Sequence, residues 1–109
     1  MLRVRKHPRV PLEVKVTVFG PEGTADGETR EIGAGGMSLS CNGKLSVSHP
    51  VELAFALPEG PMLRLAAVVW WKKDGLIGFR FDFTSKERTL VERWVNDRLQ
   101  HAKYFSKPI

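Results

Sequence analysis

The 109-residue chain has a single cysteine, Cys41, so no internal disulfide can form, and a reducing compartment is expected. Long apolar runs are also missing. None approaches the ~20 residues that a membrane helix requires. The N-terminus is basic with no apolar stretch behind it, which argues against a secretory signal. These features predict a soluble, cytoplasmic chain with no membrane contact. The usual donors of metal sites and nucleophiles are sparse. His7, His49 and His101 are scattered, and none has a cysteine or carboxylate at metal-ligand spacing. Ser38 and Ser40 share one alternating segment with no histidine nearby. No phosphate-loop or dinucleotide glycine signature is present. An enzyme, a bound metal and a cofactor are therefore not expected.

Apolar residues make up 42% of the chain, enough for it to fold, and its length favours one domain spanning 1–109. The formal net charge is +5, unevenly placed. Residues 1–15 carry five basic groups against Glu13, residues 16–83 are net −2, and residues 84–109 are net +3. Positive charge at the two ends suits a local anion site better than a broad nucleic-acid face, so nucleic acid is not the expected partner.

Pro8 and Pro11 disfavour a helix at the start, and residues 1–12 read as a flexible, arginine-bearing arm. Val14, Val16 and Val18 alternate with Lys15 and Thr17 as a half-buried strand. Residues 20–27 read as a loop, followed by a strand from about Glu28 to Ile32. Met37, Leu39 and Cys41 continue the alternation, and Cys41 reads as a small buried hydrophobe. Val51 to Leu57 makes a further strand, and Met62 to Trp71 reads as one buried on both faces for part of its length. Ile77, Phe79, Phe81 and Phe83 form the inward side of the last. At Thr84 the period changes. Thr84 and Glu87 form a capping-box signature, and Leu90, Val91, Trp94, Val95 and Leu99 fall at helical spacing. The expectation is a mostly β fold: a small six-stranded antiparallel β-barrel over 13–83 with a C-terminal α-helix over 84–104 packed on it.

Arg5 and Arg9 lie four residues apart, which in an extended segment places them on one side, roughly 13 Å apart at Cα. Such a pair is either a basic tail or a clamp for an anion with two phosphates, or with a phosphate and a base. Arginine binds phosphate bidentately and also reads the guanine O6/N7 edge. Glu31 is a strand residue whose carboxylate can accept from the N–H edge of guanine. Gly33, Gly35 and Gly36 point to a bulge or a positive-φ turn, or to close approach of a ligand to backbone. Trp70 and Trp71 are expected on opposite faces, one in the core and the other packed under the helix or stacked on a base.

Arg5-Lys6-His7-Pro8-Arg9 followed by Glu31-Ile32-Gly33-Ala34-Gly35-Gly36-Met37 resembles the PilZ domain, whose two motifs are RxxxR and D/NxSxxG. The resemblance extends through the Leu65 to Trp70 and Gly78 to Phe81 strands to the closing helix. It implies a six-stranded, split-barrel-type fold and a receptor or adaptor for the second messenger cyclic di-GMP, acting on a downstream protein partner. By the same resemblance, Arg5 and Arg9 would grip phosphates and guanine edges, with Glu31, Gly33 and Gly36 completing the site. Two positions depart from the pattern: Glu31 replaces Asp or Asn, and Gly33 replaces Ser. Gly33→Ser is accordingly expected to preserve or strengthen binding. The family also contains members that bind no dinucleotide and serve as protein-interaction modules, the alternative for this chain.

Overall fold

The computed structural model describes residues 8–106, with side chains through Gln100. Seven strands precede one helix: β1 Arg9–Pro11, β2 Lys15–Gly20, β3 Gly23–Gly33, β4 Gly36–Cys41, β5 Pro50–Ala56, β6 Met62–Lys73, β7 Leu76–Phe81 and α1 Lys86–Ser106. All pairings are antiparallel. The order β3-β2-β5-β6-β7-β4 closes through a β3–β4 ladder into a six-stranded barrel, and β1 is one extra strand on β3. Closure leaves no free edge among the six.

The strands form because their apolar residues alternate, and closure turns those residues inward. Phe55, Phe79, Phe81, Leu53, Leu65 and Met37 are almost wholly excluded from solvent. Cys41 is buried among them. Helix α1 lies against β1, β3 and β6. Val91 and Val95 are buried at its inner face, with Trp94 and Leu99 packed beside them. Full burial of one such aliphatic side chain stabilises by about 1.5–3 kcal/mol.

Several local expectations are corrected. Residues 9–12 do not belong to a loose arm: Arg9, Val10 and Pro11 pair with Gly33, Ile32 and Glu31. Burial of Val10 and Leu12 in the core explains why this segment docks. The supposed loop over 20–27 is a tight turn at Pro21 and Glu22, with β3 starting at Gly23, whose φ of 123° suits glycine. Along β6 burial alternates, with Leu63, Leu65, Ala67 and Val69 inside, because a barrel strand has one inner face. The helix starts at Lys86, not Thr84. The Thr84 hydroxyl donates to Asp82 Oδ1 at 2.7 Å, which leaves the capping-box arrangement unformed. Ser85 precedes the first turn and donates instead to Glu87 Oε2 at 2.8 Å.

One buried side chain joins β1 to β2. The register along β3 slips by one residue between the two strands. Thr29, fully buried, fills the break: its hydroxyl donates to the Leu12 carbonyl at 2.7 Å and accepts from Val14 N–H at 2.8 Å.

Candidate functional site

The site begins where β1 crosses the end of β3. Arg9 pairs with Gly33 across the ladder. A β-carbon at Gly33 would stand 2.8 Å from the Pro8 carbonyl oxygen and 3.0 Å from Arg9 Cγ, so the missing side chain is what lets β1 lie flat. This reverses the expectation for Gly33→Ser, since the added atom meets backbone before any ligand. The Arg9 guanidinium then reaches Glu31 Oε1 at 3.3 Å. Both side chains retain solvent contact, and a pair of this kind contributes about 0–1 kcal/mol.

Gly36 has a second steric role. A β-carbon there would collide with the Phe79 carbonyl oxygen, so glycine permits β4 to close on β7. Neither Gly33 nor Gly36 has a left-handed φ, so close approach is their reason, not turn geometry. The Gly35 carbonyl accepts from Phe81 N–H at 2.9 Å and ties the β3–β4 turn to the end of β7.

These contacts bound a groove of about 620 Å³, in the size range of small-ligand sites. Arg9, Gly33 and Gly36 line it, together with Trp70, Arg80, Phe83 and Arg88. Glu31 does not line the groove but contacts Arg9, which does. Arg5 lies outside the described residues. The structure thus brings Arg9, Glu31, Gly33 and Gly36 together and adds a second group that periodicity concealed.

That second group depends on a bulge. Between Val69 and Trp71 the β6–β7 register slips, so that Trp70 and Trp71 together face Gly78. The expectation of one core tryptophan is corrected accordingly. Trp70 is 55% exposed at the groove, and Trp71 lies over Gly78, where any β-carbon would enter its indole ring. Phe83 was expected on the buried side of β7, but the strand ends at Phe81 and Phe83 is 44% exposed.

Cations and rings alternate here. The Arg80 guanidinium lies 4.9 Å from the Trp70 ring and 5.8 Å from the Phe83 ring, while Arg88 lies 4.8 Å from Phe83. Arg88 also pairs with Glu92 at 2.9 Å, one helical turn on. The lining holds three guanidinium groups against the Glu92 carboxylate, so the groove favours an anion with planar rings. Beside it, Asp82 accepts from Thr84 N–H and the Thr84 hydroxyl, and these bonds hold its carboxyl below the ordinary value of 3.8. Among the described residues there is no cluster of metal-ligating side chains.

The sequence matches the PilZ domain over residues 3–97. The chain belongs to the PilZ family. Solved structures agree on the fold. The PilZ domain of CeSA from a cellulose-synthesizing bacterium is 25% identical with a TM-score of 0.69, covering 83% of this chain and 96% of that one. The PilZ domain of YcgR from Escherichia coli, solved with c-di-GMP, is 12% identical with a TM-score of 0.75, covering 98% and 100%. The K. pneumonia MrkH–c-di-GMP complex is 19% identical with a TM-score of 0.77, and its match covers 94% of this chain and 54% of MrkH. This PilZ domain thus spans about half the length of MrkH. No sequence among the curated proteins compared matches it.

Proposed function

We propose that this PilZ domain is a cyclic di-GMP receptor that binds the dinucleotide in the groove between the β3–β4 turn and the start of α1. The observation that carries this reading is the convergence of Arg9, Gly33 and Gly36 on one cationic groove. Arg9 belongs to the RxxxR motif, and the glycines belong to the second motif. Arg5, four residues before Arg9, supplies the other guanidinium of the pair. Glu31 accepts from a guanine edge once Arg9 turns to the ligand. Cyclic di-GMP is a ligand here and not a cofactor, and the domain acts as a receptor or adaptor, not a catalyst. Its output is a change in conformation or in contacts with a downstream protein partner, and a cytoplasmic site of action follows from the ligand.

Calorimetric titration of the purified domain with cyclic di-GMP tests this. Saturable binding is expected, and Arg9→Ala is expected to weaken it tenfold or more, since a hydrogen bond to a charged group contributes about 1.5–3 kcal/mol. The absence of both heat and a thermal shift at high micromolar ligand would defeat the proposal. A second reading has its own support: Glu31 engages Arg9 at 3.3 Å, and Gly33 lacks the hydroxyl of the family pattern. On that reading the domain binds no dinucleotide and works through protein contacts. A partner recovered by pull-down from cells lacking the messenger, with no heat of titration, would favour it.

A further inference from the structure

Arg88 is the third residue of α1, outside both family motifs, yet its side chain enters the groove. Its guanidinium carbon lies over the Phe83 ring, 4.8 Å from the centroid, a cation–π contact that restrains the fork. One terminal nitrogen, Nη1, is engaged by Glu92 at 2.9 Å. Nε is buried and has no hydrogen-bond partner among the described residues. A desolvated guanidinium donor without an acceptor is costly, so the resting position of Arg88 is not its best one, and the cost is relieved if the fork turns toward an acceptor in the groove. Across Phe83 stands Arg80, itself laid on Trp70 at 4.9 Å. The result is a row of two guanidinium groups and two half-exposed rings along the groove.

Resting on the cyclic di-GMP reading, we infer that Arg88, oriented by Phe83 and supported by Arg80 and Trp70, is a specificity-determining residue that reads a guanine base from helix α1. The chemistry favours a base over a phosphate. Once released from Glu92, the planar fork can meet the O6/N7 edge bidentately, and exposed aromatic faces suit a flat ring. Glu92 competes for Arg88 while the groove is empty. A ligand held at once by Arg9 on β1 and Arg88 on α1 bridges barrel and helix, so occupancy is transmitted to α1.

The test is titration of the intact domain with cyclic di-GMP and, separately, cyclic di-AMP, which has the same phosphates but no O6 acceptor. Arg88→Ala should raise the Kd for cyclic di-GMP about tenfold or more and narrow the preference over cyclic di-AMP. Arg88→Lys should do nearly the same, because an ammonium keeps the charge and loses the fork. Glu92→Gln should retain or tighten binding, because it frees Arg88. Melting curves establish that each variant is folded. Wild-type affinity and base preference in a folded Arg88→Ala domain would overturn the inference and leave the receptor reading standing. Equal losses in Arg88→Ala and Glu92→Gln would also overturn it, by showing that the ion pair serves only the helix. If the wild type binds neither dinucleotide, the receptor reading fails, and this inference fails with it.

Discussion

A β-carbon at position 33 would come within 2.8 Å of the Pro8 carbonyl oxygen, and position 36 leaves no room for one beneath the Phe79 carbonyl. Both obstacles are backbone atoms, one just before β1 and the other within the paired strand β7, and neither can turn aside as a flexible side chain would. Gly33→Ser is therefore expected to push Pro8 and the start of β1 away from β3. Faster hydrogen exchange at the Val10 amide is expected, along with weaker cyclic di-GMP binding, because Arg9 is carried on the displaced strand. Unchanged exchange, or tighter binding, would show that the serine is accommodated. Family pattern and local packing disagree at this residue. The pattern treats glycine as a missing hydroxyl, whereas in this chain its bareness is what admits β1.

At the scale of the element, Thr29 holds the continuity between β1 and β2. It bonds Leu12 and Val14 on the two sides of the register slip, with no access to water. Thr29→Val keeps the volume but leaves the Val14 N–H without this acceptor. A loss of about 1–3 kcal/mol in chemical denaturation is expected, with β1 exchanging before the barrel. The start of α1 carries a smaller, pH-dependent effect. Thr84 lowers the Asp82 carboxyl below 3.8, so the folded state favours its ionised form. The stabilisation is present above that value and is lost as pH falls through the depressed folded value. The melting temperature of Asp82→Asn should lie slightly below wild type at neutral pH, and the gap should close in acid below pH 3.8. A gap that persists in acid would assign the effect to shape and not to charge.

For the whole molecule, a ligand that joins β1, the β3–β4 turn and α1 should stabilise all three at once. At a hundredfold excess over Kd, cyclic di-GMP should add about 2.7 kcal/mol and raise Tm by roughly 10 °C for a domain of this size. A shift confined to local probes, with no change in Tm, would contradict a bridging mode. The barrel and helix were legible in the sequence because strict alternation at Val14 to Val18 or Ile77 to Phe81, and the helical spacing of Val91 and Val95, each encode a single buried face. Arg9, Glu31, Gly33 and Gly36 were legible through the two motifs. The other half of the site was not. Trp70 reaches the groove through a bulge, Phe83 because its strand stops two residues earlier, and Arg88 because α1 packs beside β1 and β3. Periodicity reports which side of one element is apolar, and in this chain that determined the six barrel strands, the helix and most of the core, while β1 and the first part of β3 escaped it. Which exposed side chains meet depends on register slips and on the docking of a helix across the barrel. Those are set by steric contacts between residues distant in sequence, so the tertiary structure alone decided that two half-exposed aromatic rings and three arginines share one groove.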